Sequence, residues 1–346
     1  MTNLRAIFGI AAAAAAGLAH SADTASHGAG DGSLDEIVVV ANKAERSLRE
    51  VAANVTVLTR ETLADELSTS LGESFRYTPG IDEEWAGGRF GSEGISIRGI
   101  GGNRVALVVD GVKLGDQYDI GSFANATRDF IDAGFIRRAE VLHGPASALY
   151  GSDAIGGVVS VRTLLPADLV GPDDDGGTVS ALWHGADDSL HGTALAAFGT
   201  AVRGIVLGGS RREGGARDSA ALSEPVDERE FRRTSALVNV ASDDVFGHRA
   251  SAGLLYQDSA VDTDLHSMLG SGRFAATTAL KGFDESRLAV AHADLAIGGA
   301  GALVHDGVLR LYAGQSDIDQ DTRDVRANAA RPVIIDREFE YDQAFH

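Results

Sequence analysis

Apolar and polar residues alternate with a period of two through much of the second half of the chain. In Arg249 to Gln257, Ala250, Ala252, Leu254 and Tyr256 fall on one face, with Arg249, Ser251 and Gln257 on the other. Arg287 to Leu295 sets Ala289, Ala291, Ala293 and Leu295 opposite His292 and Asp294, and Leu309, Leu311 and Ala313 alternate with Arg310 and Tyr312. One apolar and one polar face at this period fits a half-buried sheet or the wall of a transmembrane β-barrel. The pattern predicts strands near 177–185, 189–199, 203–212, 231–241, 247–258, 286–296 and 306–316, with 338–346 beginning an eighth. After the second strand, short links (199–202, 242–246, 297–305) alternate with long acidic ones (213–230, 259–285 and from 317 onward). Short turns on one side and long loops on the other favour the barrel.

The first half is organised differently. Ser70-Leu71-Gly72-Glu73 predicts a capping box opening a short helix that Pro79 and Gly80 close. Val105 to Val109 is an apolar run of strand length, and Asp110-Gly111 before Val112 signals a tight hairpin. Ile136 to Leu142 and Gly156 to Val161 are further strand candidates, with a short helix at Ala146 to Tyr150 behind Pro145. These elements predict a compact α+β domain ahead of the strand-rich region.

The beginning of the chain reads as an export signal. Arg5 supplies the positive region, Ala6 to Leu18 is uncharged and apolar, and Ala19-His20-Ser21 predicts cleavage before Ala22. The apolar run is too short to cross a hydrocarbon core about 30 Å thick. Membrane residence therefore requires a closed barrel, the other structure that satisfies every backbone polar group in lipid.

Composition sharpens this picture. The 346 residues include 43 glycines but only 6 prolines, which suits many tight turns and strands. Lys+Arg number 30 against Asp+Glu 50, a net charge of −20 that argues against binding a phosphate backbone. Cysteine is absent, so disulfides, thiol nucleophiles and cysteine metal sites are excluded. No nucleophile elbow, zinc-protease, phosphate-loop or dinucleotide motif is present. Asp317, Asp319 and Asp321 begin like a calcium loop, but Thr322 stands at the turn glycine and Asn328 at the closing glutamate. The sequence thus points to no enzyme, no cofactor and no metal site, and this acidic stretch reads as a loop.

Four motifs in order carry a family resemblance. Asp35-Glu36-Ile37-Val38-Val39-Val40-Ala41 resembles the TonB box of TonB-dependent outer-membrane receptors. Arg76-Tyr77-Thr78-Pro79-Gly80-Ile81, Ile97-Arg98-Gly99 and Val108-Val109-Asp110-Gly111-Val112 follow the pattern of that family's plug domain. The run from Glu140 to Val159 (EVLHGPASALYGSDAIGGVV) is similar to the end of the plug. His143 departs from the usual arginine there, and Ser160 from the commoner asparagine. The resemblance implies a signal peptide at 1–21, a flexible lead at 22–34, the TonB box at 35–41, a plug at 42–165 and barrel strands over 166–346. The expected fold is an α+β plug followed by antiparallel transmembrane β-barrel strands, with the barrel incomplete in this chain.

The resemblance further implies residence in the outer membrane of a Gram-negative bacterium and TonB as partner, with ExbB and ExbD in the inner membrane. The implied activity is uptake of an iron chelate, haem or a siderophore, with cobalamin as an alternative substrate. A truncated, non-transporting module that binds TonB or a surface is the alternative from another class. The short β-branched run Ile37 to Val40 suits strand addition to a partner's sheet edge. Trp85, Arg89, Phe90, Gln117, Tyr118 and Asp119 fall where the family's plug loops face the substrate, and simple loop packing is the competing role. Arg98 and Glu140 are the charges expected to pair within the plug or against the wall. Gly102-Asn103-Arg104 ahead of a strand is similar to the haem and haemoglobin receptor branch, for which His266, with Met268 nearby, is the candidate axial ligand.

Length adds one expectation. The family's barrel has about 22 strands, which needs on the order of 400 residues. Residues 166–346 supply fewer than half of these. Eight strands close only a barrel too narrow for a plug, so the chain is expected to be part of a longer receptor.

Overall fold

The computed structural model describes residues 37–38, 46–47, 54–85, 92–116, 127–128, 130–170, 175–216, 227–297, 307–328 and 331–346, with backbone alone at 37–38, 46–47, 85 and 92–93. Two short strands, β1 (Ile37–Val38) and β2 (Arg46–Ser47), pair antiparallel ahead of everything else. β3 (Val55–Thr59) leads into helix α1 (Arg60–Asp65), whose first turn is capped by the Thr59 hydroxyl accepting from the Thr62 amide. β4 (Ile81–Trp85) and β5 (Ser92–Ile97) form a separate antiparallel pair.

The centre of this half is a five-stranded mixed sheet. It contains β6 (Val105–Val109), β7 (Val112–Lys113), β8 (Ile136–His143) and β9 (Gly157–Thr163), in the order β3-β8-β9-β6-β7. β6 runs parallel to β9 and is buried along its whole length, as an uninterrupted Val-Ala-Leu-Val-Val run requires. The predicted hairpin is present: Asp110 and Gly111 both take positive φ (47° and 80°) between β6 and β7. Helix α2 covers Ser147–Tyr150. The predicted capping box forms differently. Ser70 Oγ accepts from the Glu73 amide at 3.3 Å, but only a 3-10 turn (Glu73–Phe75) follows, and the Glu73 carboxylate turns back to Thr69 instead.

The second half is one eight-stranded antiparallel sheet in chain order: β10 (Asp175–His184), β11 (Ser189–Gly199), β12 (Arg203–Gly214), β13 (Glu228–Val245), β14 (His248–Leu265), β15 (Thr277–Ile297), β16 (Gly307–Arg326) and β17 (Val333–Phe345). Its polarity is the reverse of a soluble sheet. On β14, Gln257 and Ser259 are 2 % and 5 % exposed, whereas Leu254 and Tyr256 are 46 % and 38 % exposed. The inner face, where polar residues are interspersed with buried apolar ones such as Leu237 and Leu255, is covered by the first half of the chain, and the outward face is apolar over this band. Water would penalise that arrangement and lipid rewards it. The outward apolar band continues through Leu207 and Val240 to Leu309 and Leu311.

Strands β13 to β16 run 18 to 21 residues, about twice what a tilted strand needs to cross a bilayer. The expected long loops are therefore too long. Residues 259–265 and 280–286 pair one to one, from Ser259↔Ser286 to Leu265↔Leu280. Asp317, Asp319 and Asp321 lie on β16 rather than in a loop, and β17 begins at Val333.

Candidate functional site

The inner sheet meets the eight-stranded sheet, here called the wall, over an extended contact. Much of that contact is apolar: Phe135 and Ile136 share one core with Leu195, Val206, Leu237, Leu255, Leu288 and Val290 of the wall. A Cβ at Gly208 would stand 3.0 Å from the Phe135 ring. Glycine there lets the ring seat directly on β12.

Three buried polar ties cross this apolar surface. In the first, Asp132 caps a 3-10 turn (Ala133–Phe135), with Oδ1 accepting from the Gly134 amide at 2.8 Å. Its Oδ2 accepts from Ser210 Oγ of β12 at 2.7 Å and from His191 Nε2 of β11 at 2.9 Å. One carboxylate thus joins a turn to two strands of the wall. Complete burial works to raise its pKa, but the hydrogen bond and charge of His191, then Ser210 and the Gly134 amide, prevail and hold it below the usual aspartate value.

In the second tie, the Asn239 amide of β13 donates to Thr163 Oγ1 (2.7 Å) and to the Leu164 carbonyl (2.6 Å). The Thr163 hydroxyl in turn donates to Asp110 Oδ2 at 2.6 Å, and its amide to Asp110 Oδ1 at 3.0 Å. The hairpin turn is thereby fixed to the wall. In the third, His184 approaches Glu73 Oε1 at 3.2 Å. Burial opposes ionisation of Glu73, but the Thr69 hydroxyl and amide, with His184 and Arg76, bring its pKa below the ordinary value. A fourth contact is steric and charged: Arg310 of β16 makes a two-pronged bond to Asp294 (2.7 and 2.5 Å), and its guanidinium fills the space a side chain at Gly111 would need.

The residues singled out from sequence are distributed unevenly. Ile37 and Val38 form β1, paired with Ser47 and Arg46, whereas Asp35, Glu36, Val39, Val40 and Ala41 lie outside the described residues. Arg89, Phe90, Gln117, Tyr118 and Asp119 also lie outside them, and Trp85 is described by backbone alone as the last residue of β4. Glu140 is buried and pairs with Arg138 at 2.6 Å. Arg98 is exposed at φ 52° and makes no salt bridge among the described residues. His143 hydrogen-bonds the Thr56 hydroxyl at 2.9 Å, and burial followed by repulsion from Arg98 lowers its pKa. His266 stands 3.9 Å from Asp264, and Met268 packs on a small loop core of Leu265, Phe274 and Leu280. Asp132, His191, Ser210 and Asn239 carried no sequence signal, because their partners lie 59 to 78 positions away.

Residues 47–158 match the family model of the TonB-dependent receptor plug domain. That stretch is a plug domain of the TonB-dependent receptor type. The plug is therefore the five-stranded sheet with its attached elements, and the eight strands are barrel wall. Over 196 residues the chain is 35 % identical to a hemin receptor of Yersinia enterocolitica, covering 56 % of this chain and 28 % of that protein. Over 129 residues it is 40 % identical to a vitamin B12 transporter of Vibrio vulnificus, covering 37 % of this chain and 20 % of that one. These matches span 28 % and 20 % of the relatives' length. The fold is shared with the pyoverdine outer-membrane receptor of Pseudomonas aeruginosa PAO1 (TM-score 0.55, 13 % identity, 91 % of this chain and 57 % of that one). A siderophore receptor of Acinetobacter baumannii matches similarly (TM-score 0.54, 12 % identity, 86 % of this chain and 54 % of that one). The relatives are receptors and transporters, not enzymes.

Proposed function

We propose that this chain serves TonB-driven uptake of an anionic iron chelate, haem or a siderophore, across the outer membrane. The observation that carries the reading is the charge sorting of the wall. In its far half, beyond the apolar band, the plug-facing side presents Arg212, Arg229, Arg233, Arg326 and Arg337 against Asp284 and Asp324. The outward side of the same strands carries two ladders, Glu228-Asp264-Lys281-Arg323-Asp336 and Glu230-Asp262-Phe283-Asp321-Glu338. The far half of the wall has thus placed five arginines inside against two aspartates, where they draw an anionic ligand toward the plug. This supports the carboxylate-bearing haem of the hemin-receptor relative over an uncharged corrinoid. Cobalamin is the second reading, favoured by the 40 % identity over 129 residues to the vitamin B12 transporter.

In this reading residues 1–21 are removed on export, and the short links at 200–202 and 246–247 face the periplasm. The strand-forming run 35–41 then engages TonB, powered through ExbB and ExbD, and the pull breaks the buried ties between plug and wall. Ligand bound above the plug passes inward as they open. A non-transporting module would keep the ties and show no energy dependence.

Growth of an iron-starved, receptor-deleted strain on haemin tests this. Expression of the whole receptor is expected to restore growth, and collapse of the proton gradient to abolish haemin uptake while surface binding persists. Equal accumulation with and without the gradient rejects the reading. Uptake of cobalamin but not haemin moves the chain to the second one.

A further inference from the structure

We propose that the outer face of the wall carries a docking groove for a basic polypeptide segment, centred on Phe283. The groove is separate from the lumen, and the proposal stands without the uptake reading. It encloses about 750 Å³ and is lined by three consecutive residues from each of β13 to β17, from Glu228–Glu230 to Asp336–Glu338. Strand alternation decides how each triplet is used. The outer two residues point outward and build the two sides of the groove, which are the two outward ladders already described. The middle residue turns toward the plug and leaves its backbone as the floor. Five strands about 4.8 Å apart make the groove roughly 20 Å long, the span of about six extended residues. On β15, Phe283 lies six residues beyond Ala289, the partner of Tyr256 in the apolar band. That is ~20 Å along the strand, clear of the lipid-facing surface.

The two sides differ in chemistry. On one, the cations are already paired: Lys281 Nζ lies 2.6 Å from Asp264, and Arg323 Nε 3.8 Å from Asp336. On the other, Glu230 stands directly opposite Asp262, and Asp321 directly opposite Glu338. Like charges facing each other across a ladder destabilise a sheet. Glu230, Asp262 and Glu338 make no salt bridge among the described residues. Between the two acid pairs stands Phe283, 41 % exposed, with no cation stacked on its ring among the described residues. Carboxylates spread over a flat face would select no partner; here they wall a groove with an open aromatic ring at its centre.

A basic side chain answers both features at once. A guanidinium stacks on the ring while its N–H groups reach the flanking carboxylates. Asp262 and Asp321 lie two strands apart, about 10 Å, which matches residues i and i+3 of an extended segment. A neutral sugar chain could cover the ring but would leave both acid pairs in repulsion. An anion is repelled outright, since the sides hold seven carboxylates against two cations.

The test uses the whole receptor in detergent at low salt, with labelled hexa-arginine as the probe and maltohexaose as the neutral comparison. Wild type is expected to bind the peptide and not the sugar. Phe283→Ala should weaken binding about threefold, an exposed cation–π contact's worth. Asp321→Asn with Glu338→Gln should weaken it about tenfold, two exposed charge pairs' worth. That double variant should also melt at or above the wild-type temperature, because an opposed like-charge pair is gone. Asp317→Asn with Asp342→Asn is the control: it removes the same charge from another opposed pair of the same two strands, outside the groove, and should bind as wild type. Four results would each overturn the groove: no peptide binding by wild type, equal loss in the two double variants as diffuse attraction would give, unchanged binding in Phe283→Ala, or binding of maltohexaose in place of the peptide.

Discussion

Asp132→Ala is expected to release the plug from the wall while leaving the wall folded. The substitution removes the shared acceptor of three hydrogen bonds and strands His191 and Ser210 in a buried contact. Breaking a buried pair from one side costs about 3–5 kcal/mol, equivalent to at least a hundredfold in local opening. Amide exchange over 130–143 should accelerate by roughly that factor, with the ladder between β14 and β15 unchanged. The same carboxylate sets an acid limit. Its folded pKa lies below the unfolded one, so its stabilisation is complete above about pH 4 and is lost as pH falls through the lower, folded value. Protection of 130–143 should drop on that acid limb in wild type, and Asp132→Ala should flatten it. Equal exchange in the two proteins would show that the apolar contact alone holds the plug.

Val38→Pro is expected to abolish uptake while leaving ligand binding at wild-type strength. Val38 lies in a two-residue strand paired with Arg46 and outside the five-stranded plug sheet, so the plug does not depend on it. Strand addition to a partner relies on main-chain hydrogen bonds. Proline deletes one donor and restricts the preceding residue. Loss of that bond with an acceptor left unmet costs about 2–3 kcal/mol, a weakening of roughly 30- to 150-fold. Haemin accumulation by cells and haemin binding to isolated membranes separate the two effects. Unimpaired accumulation would remove 35–41 from the mechanism.

The physical origin of each feature decides how much of it was legible in sequence. The barrel wall showed itself where one face meets lipid and the other is polar, as at 250–257 and 289–295. It disappeared from view at 259–265 and 317–321, where the strands rise beyond the apolar band. There Asp262, Asp264, Asp319 and Asp321 face outward while Val261, Thr263, Leu265, Ile318 and Gln320 face inward, so the outer face is polar, the inner one mixed, and the apolar-out pattern of the band is lost although pairing continues. The hairpin at Asp110-Gly111 was legible because its chemistry is local. Glu73 was half legible: its amide takes the expected Ser70 cap, while its carboxylate answers to Thr69, Arg76 and the distant His184. The Asp132 tie was invisible, since a lone aspartate before Ala-Gly gives no hint of a histidine 59 residues on.

The central claim is that ligand passes only when the plug parts from the wall, and a reversible tether tests it most directly. The chain has no cysteine of its own, and a Cβ at Gly134 would lie 3.0 Å from the Thr193 side chain, within disulfide reach. In the whole receptor carrying Gly134→Cys and Thr193→Cys, oxidised cells should bind haemin normally and fail to accumulate it, and reduction should restore accumulation. Accumulation at the wild-type rate with the tether shown to be closed would contradict the account.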